Sequence, residues 1–214
     1  MTKVKICGLL RVEDINYVNE VLPDYVGFIF AKSRRQVKLD EAAKLINLLD
    51  KSIKTVGVFV DEEVDKVKEI AEKLSLNILQ FHGKEDETYI NQFNGFSTWK
   101  SVAIKVDLNK ETYNREKYQK VLDSCNKYNI EGILLDSSVK GAEGGTGVSF
   151  DWSLIPKLNI NKKLILAGGL NPSNVRDAID RVKPYAVDVS SGVETDGFKD
   201  FNKIKKFMEK VRNK

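Results

Sequence analysis

Cysteine is scarce in this chain, with two in 214 residues, and histidine is scarcer, with one. Two cysteines cannot build a disulfide framework, and together with a single histidine they make no metal-ligand set. Free thiols in a reducing compartment are the natural reading. Long apolar runs are missing too: no stretch approaches the ~20 residues needed to span a membrane. The opening MTKVKICG lacks the apolar core of a signal peptide, so a cytosolic protein is expected. Nor does charge of one sign dominate. Lysine and arginine number 35 against 31 aspartates and glutamates, a net +4. Most of that excess lies in KIKKFMEKVRNK at the C-terminus, where Ile204, Phe207, Met208 and Val211 fall at helical spacing with lysines between them. That is a solvated helix face, not the basic stripe with stacking aromatics that nucleic acid requires. Without a linker, low-complexity tract or convincing repeat, one domain over residues 1–214 is expected.

What the chain does have is alternation. Short apolar runs read as buried strands at Val4–Ile6, Tyr25–Phe30, Thr55–Val60, Ile78–Phe81, Trp99–Ile104, Gly132–Leu135, Leu164–Ala167 and Ala186–Val189. Such near-continuous runs suit a parallel sheet covered on both faces. Between them, Leu39, Ala42, Ala43, Ile46 and Leu49 share one helical face; so do Val64, Val67, Ile70, Ala71 and Leu74, and then Tyr118, Val121, Leu122 and Cys125. Cys125 is thereby read as helix packing. The crossover after the sixth strand has only Trp152–Leu158 for a short helix. Eight strands, each followed by a helix, predict an α/β fold of the (β/α)8 TIM-barrel type, compact beside the ~250 residues typical of the class. A doubly wound open sheet is the competitor, but it usually carries a glycine-rich turn after its first strand, where this chain has only Cys7-Gly8.

A (β/α)8 barrel places its active site where the strands end. Just past those ends stand Cys7, then Arg34 and Arg35 in KSRRQ, then Gln80 and His82 around Phe81, then Asp136-Ser137-Ser138. Three glycine segments follow: GGTG at 144–147, AGGL at 167–170 and DVSSGVE at 188–194. Glycines let successive amides converge on an anion, so Gly145, Thr146, Gly168, Gly169, Ser190, Ser191 and Gly192 are expected to hold a phosphate, with Asp188 alongside for substrate. Asp136 directly follows Ile133-Leu134-Leu135, half shielded from water, and is either a general acid or a turn aspartate. Arg35 has the fork for a substrate carboxylate, with Arg34 facing water. His82 is a structural hydrogen-bonder or a catalyst. Cys7 is a small buried hydrophobe or a reactive thiol; as a base it needs a thiolate, favoured by nearby arginine or loop amides.

KICG at 5–8, KSRR at 32–35, LQFHG at 79–83, LLDS at 134–137, GGTG, LAGGL and DVSSGVE followed by GFKD together resemble the phosphoribosylanthranilate isomerase family of tryptophan biosynthesis. The matches run in order from residue 5 to 200, and KICG joined to LQFHG and DVSSGVE is the specific combination. The resemblance implies a cofactor-free Amadori rearrangement of a small phosphorylated sugar, in a monomer or homodimer. By that resemblance Asp136 protonates the furanose oxygen, Cys7 takes the proton from carbon 2, Arg35 lies near the anthranilate and the glycine loops hold the phosphate. Two departures stand out: Leu9 and Leu10 replace a frequent threonine, and Arg34 fills the S-x-R slot where the family often has proline. The histidine-pathway aminoaldose isomerases run the same reaction type but have an aspartate where this chain has Cys7, and two-fold repeated halves. A phosphate-sensing barrel without catalysis is the non-enzymatic alternative.

Overall fold

The computed structural model describes residues 1–104, 111–136 and 152–213. Eight strands, β1 (Lys3–Cys7), β2 (Tyr25–Ile29), β3 (Lys54–Phe59), β4 (Ile78–Phe81), β5 (Ser97–Ala103), β6 (Gly132–Asp136), β7 (Lys163–Ala167) and β8 (Ala186–Val189), run parallel in sequence order. The ring closes because β1 pairs with β8, Lys3 to Ala186 through Ile6 to Val189. That pairing eliminates the open sheet. Every expected strand is present with its ends within two residues of the reading above.

The helices are less uniform than eight equal crossovers. α1 (Val12–Val21), α2 (Leu39–Asn47), α3 (Val64–Lys73), α5 (Glu111–Lys127), α6 (Val175–Val182) and α7 (Phe201–Arg212) pack outside the ring. α4 (Glu87–Ile90) is a single turn capped by Asp86, whose side chain accepts from the Tyr89 amide. The crossover after β6 carries a 3-10 helix, Trp152–Lys157, with Pro156 inside it. Short crossovers are how 214 residues complete a barrel.

α6 shows how burial fixes such a helix. Val175, Ala178, Ile179 and Val182 recur every three or four positions and all are buried, and full burial of a Val or Ile is worth about 1.5–3 kcal/mol. In α5, Tyr118, Leu122 and Cys125 are buried as expected, but Val121 is 44% exposed. It lies one position, a turn of ~100°, from Leu122 and so falls at the edge of the stripe.

Alternation along the strands divides the core in two. One apolar cluster lies between strands and helices. The other, Tyr25, Val56, Ile78, Trp99, Leu134, Ile165, Ala167 and Ala186, fills the barrel itself. At the closed end the Tyr25 and Tyr185 hydroxyls meet at 3.0 Å. The packed interior leaves the opposite end, where the strands stop, as the place for a site.

Candidate active site

At that end a cavity of about 390 Å³ is bounded by Cys7, Arg35, Gln80, His82, Asp136 and the two late glycine loops. Its size lies within the range for small-molecule sites. Of the residues singled out from the sequence, Cys7, Asp136, Arg35, His82, Gly168, Gly169, Asp188, Ser190, Ser191 and Gly192 all line it. Gly145 and Thr146 lie outside the described residues, as do Ser137 and Ser138.

Cys7 ends β1 and is only 6% exposed, yet it borders the cavity. Burial and access to the cavity are therefore not alternatives here. Its sulfur rests over Gly27 of β2, where a Cβ would come within 2.7 Å of Sγ; glycine alone leaves that space. Ser190 Oγ donates to the Cys7 carbonyl at 3.0 Å, tying β1 to the β8 loop. Burial pushes the thiol above its ordinary value, opposed by the charges of Lys5 and Lys199 and reinforced by Asp188. The expectation of arginine or loop amides beside the thiol thus needs correction: the cations that favour its ionised form are two lysines.

Both lysines are buried, and each holds a carboxylate. Lys5, two residues before Cys7 and so on the same face of β1, donates to Asp188 Oδ2 at 2.9 Å. Burial works to discharge it, but Asp188 and Cys7 hold its pKa above the ordinary lysine value. Lys199 donates to Glu194 Oε1 at 2.8 Å and to the Ser190 carbonyl at 3.1 Å. Burial lowers its pKa, with Glu194 and Cys7 resisting.

Glu194 also decides what the arginines do. Arg35 grips it with two parallel bonds, Nε to Oε1 at 2.7 Å and Nη2 to Oε2 at 2.8 Å. The fork expected to meet a substrate carboxylate is occupied by the chain's own glutamate, leaving only the outer N–H groups for a ligand. Arg34 is 59% exposed, as expected of a residue facing water, but its tip donates to the same carboxylate at 2.8 Å. Burial alone would raise the Glu194 carboxyl; Arg35 and Lys199 hold it down to about 2. The loop after β2 is thereby clasped to the segment after β8.

Across the cavity, Asp136 ends β6 with its side chain 22% exposed, and His82 Nε2 stands 3.5 Å from its Oδ2. Gln80 Nε2 lies 3.2 Å from His82 Nδ1. With the amide donating to Nδ1, the imidazole proton is on Nε2 and faces Asp136. The loop bearing His82 is anchored below by Glu85, which accepts from the amides of Asp61 and Gly83 and from Lys100 Nζ at 2.8 Å. His82 is therefore both a hydrogen-bonder and a neighbour of the acid.

The late glycine loops meet closely. Gly168 and Gly169 have φ of 89° and 65°, a region side chains rarely tolerate. A Cβ on Gly192 would fall 1.8 Å from the Leu170 carbonyl oxygen. Behind them a second recess, bordered by Gly169, Ser191, Gly192, Arg34 and Lys203, extends the first. Two buried acceptors, Gln80 Oε1 and Asp188 Oδ1, have no hydrogen-bond donor among the described residues, and both residues border the cavity.

Sequence reasoning missed four contributors: Lys5, Glu194 and Lys199 were given no role, and Gln80 was noted only as a strand end. Lys5 carried a signal, being a charge inside an apolar strand at the same parity as Cys7. Glu194 and Lys199 stand within DVSSGVE and GFKD, but nothing in their spacing reveals an ion pair made through tertiary folding.

Comparison with known proteins agrees with this geometry. Residues 4–210 match the family model described as N-(5'-phosphoribosyl)anthranilate (PRA) isomerase. The N-(5'-phosphoribosyl)anthranilate isomerase of Thermoanaerobacter pseudethanolicus is 51% identical over 212 residues, covering 99% of this chain and 98% of that one. The crystal structure of phosphoribosyl anthranilate isomerase from Thermotoga maritima superposes with a TM-score of 0.83 at 36% identity, covering 100% of both chains. A phosphoribosyl anthranilate isomerase solved in complex with reduced 1-(o-carboxyphenylamino)-1-deoxyribulose 5-phosphate gives 0.80 at 35% identity, again over 100% of both. With its fold and nearly its whole length in common with these proteins, the chain belongs to the N-(5'-phosphoribosyl)anthranilate isomerase family.

Proposed function

We propose that the cavity at the open end of the barrel carries out the Amadori rearrangement of N-(5-phosphoribosyl)anthranilate to 1-(2-carboxyphenylamino)-1-deoxyribulose 5-phosphate in tryptophan biosynthesis, with Asp136 as general acid and Cys7 as general base. The observation that carries this reading is that Cys7 and Asp136, from the first and sixth strands, border one cavity whose rim is made by the late glycine loops.

The aminoaldose is a closed furanose. Asp136 donates a proton to the ring oxygen as the anilino nitrogen pushes its electron pair toward carbon 1, and the ring opens to an iminium. His82, directed at Oδ2, keeps that carboxyl oriented toward the substrate. The iminium makes the carbon 2 proton acidic, and the Cys7 thiolate removes it to leave an enolamine. Protonation at carbon 1 and loss of the carbon 2 hydroxyl proton then give the ketone. Each step is a proton transfer, of the kind worth typically 10²–10⁴-fold per positioned group.

The remaining groups hold the substrate. Amides and hydroxyls of Gly168, Gly169, Ser190, Ser191 and Gly192 surround the phosphate; Gly145 and Thr146, expected from the sequence to join them, lie outside the described residues. Asp188 Oδ1 accepts from a sugar hydroxyl. The outer N–H groups of Arg35 face the anthranilate end, while Glu194 fixes the guanidinium plane. Anchoring the unreactive phosphate positions the reactive carbons between acid and base.

The test follows the fluorescence decay of freshly made phosphoribosylanthranilate on addition of the protein. The unaltered chain should accelerate it. Cys7→Ser should lose turnover by about 10²-fold or more with its thermal unfolding unchanged, because a hydroxyl is a far weaker base. Turnover unaffected by Cys7→Ser would remove the assigned role.

A further inference from the structure

We propose that Lys5 is a positioning residue for Cys7: an ammonium fixed beneath the sulfur by Asp188, it favours the thiolate from the side of the site that the substrate never reaches. The idea rests on the reading of Cys7 as the base.

Geometry places the lysine there. Lys5 is fully buried and does not border the cavity, so it has no direct access to substrate. Its Cε lies 3.2 Å, and the Cys7 sulfur 2.7 Å, from the one point above Gly27 that a Cβ would occupy. The two atoms are therefore no more than 5.9 Å apart, the sum of those distances. The ammonium is fixed in place by Asp188 Oδ2 at 2.9 Å. A charged lysine at the centre of a barrel, where an apolar side chain would fill the space at no electrostatic cost, calls for a function.

The groups facing the sulfur form a balanced set. From β1 comes Lys5, from β8 Asp188, and from the strand Phe198–Lys199 comes Lys199, itself bound to Glu194 with Arg35 behind it. His82 and Asp136 stand across the cavity. Lys5 and Lys199 favour a negative sulfur, and Asp188 opposes it. Lys5 and Asp188 thus pull in opposite directions although they form one ion pair.

The experiment measures the rate of iodoacetamide alkylation of Cys7 against pH, following the Cys7 peptide by mass spectrometry so that Cys125 does not contribute. Lys5→Met should move the midpoint up by about one pH unit and slow alkylation at pH 8 by about ten-fold. Lys5→Gln, neutral but able to donate to Asp188, should move it up as well. In the fluorescence assay Lys5→Met should lower kcat by about ten-fold with KM little changed. Should Lys5→Met fail to fold, the upward shift in Lys5→Gln still decides the matter. Midpoints unmoved or lowered in these variants overturn the proposal. Because alkylation needs no substrate, that failure is distinct from a failure of Cys7 as the base, which Cys7→Ser reads separately.

Discussion

Replacing Glu194 by glutamine removes the carboxylate that Arg34, Arg35 and Lys199 share, and the structure sets the size of the effect. Arg35 makes two bonds to it and Arg34 and Lys199 one each, all between 2.7 and 2.8 Å. Burial opposes this arrangement, yet the carboxyl lies at about 2 against an ordinary 4.5. A carboxyl lowered that far contributes about 3 kcal/mol to folding stability. The sign is that of a depressed acid: the contribution is complete above the unfolded value of 4.5 and disappears as pH falls toward 2. Urea unfolding of the two proteins should therefore differ by about 3 kcal/mol at pH 7, narrowing to about 2 kcal/mol near pH 3.5. Glutamine keeps the shape and offers one neutral acceptor, so the difference reports charge rather than a cavity. A gap below about 1 kcal/mol at pH 7, the value of an ordinary surface pair, or a gap that does not change with pH, would refute the reasoning.

Three further substitutions test separate parts of the site. Gly27→Ala places a methyl 2.7 Å from the Cys7 sulfur; overpacking of that kind costs about 1–3 kcal/mol, and calorimetry should show a lower Tm together with a kcat reduced at least about ten-fold. Gly192→Ala drives a Cβ to 1.8 Å from the Leu170 carbonyl, so the β7 and β8 loops must part, and steady-state kinetics should show KM rising more than kcat falls. Glu85→Gln removes the charge that pairs with Lys100 and one of the two oxygens that accept from it and from two loop amides; breaking such a buried pair should cost about 3 kcal/mol in urea unfolding.

The barrel was legible because its determinants are local. Strands buried on both faces read as continuous apolar runs whatever their neighbours, and β4 and β8 end where the sequence reading places them. Closure was legible only indirectly, through the number of strands, since nothing in Val4–Ile6 or Ala186–Val189 names the other as its partner. The crossovers were harder. The helix that Asp86 caps ends after one turn, at Ile90, and no apolar periodicity distinguishes so short a helix from a loop. Val121 went astray because a stripe read at i and i+3 includes positions that tertiary packing leaves at its edge.

The site divides along the same line. Cys7, Asp136, His82 and the glycines were legible because each stands at a strand end, and in this fold strand ends share one rim. The electrostatics were not, because charge balance here is made between segments far apart in the chain. Lys5 meets Asp188 and Arg35 meets Glu194 across 183 and 159 positions. Read in order, Arg35 offers a free fork to a ligand; folded, that fork is spent on Glu194 and only the outer N–H groups remain. Read in order, Lys5 is one of several cations around Cys7, and only the fold selects it and the distant Lys199 as the ones that act on the sulfur. A residue type therefore names a chemistry, but whether the group is free to perform it depends on partners that only closure of the barrel supplies. In this chain closure turns two potential ligand-binding cations, Arg35 and Lys199, into supports for a shared carboxylate, and leaves Cys7, Asp136 and Asp188 bordering the cavity.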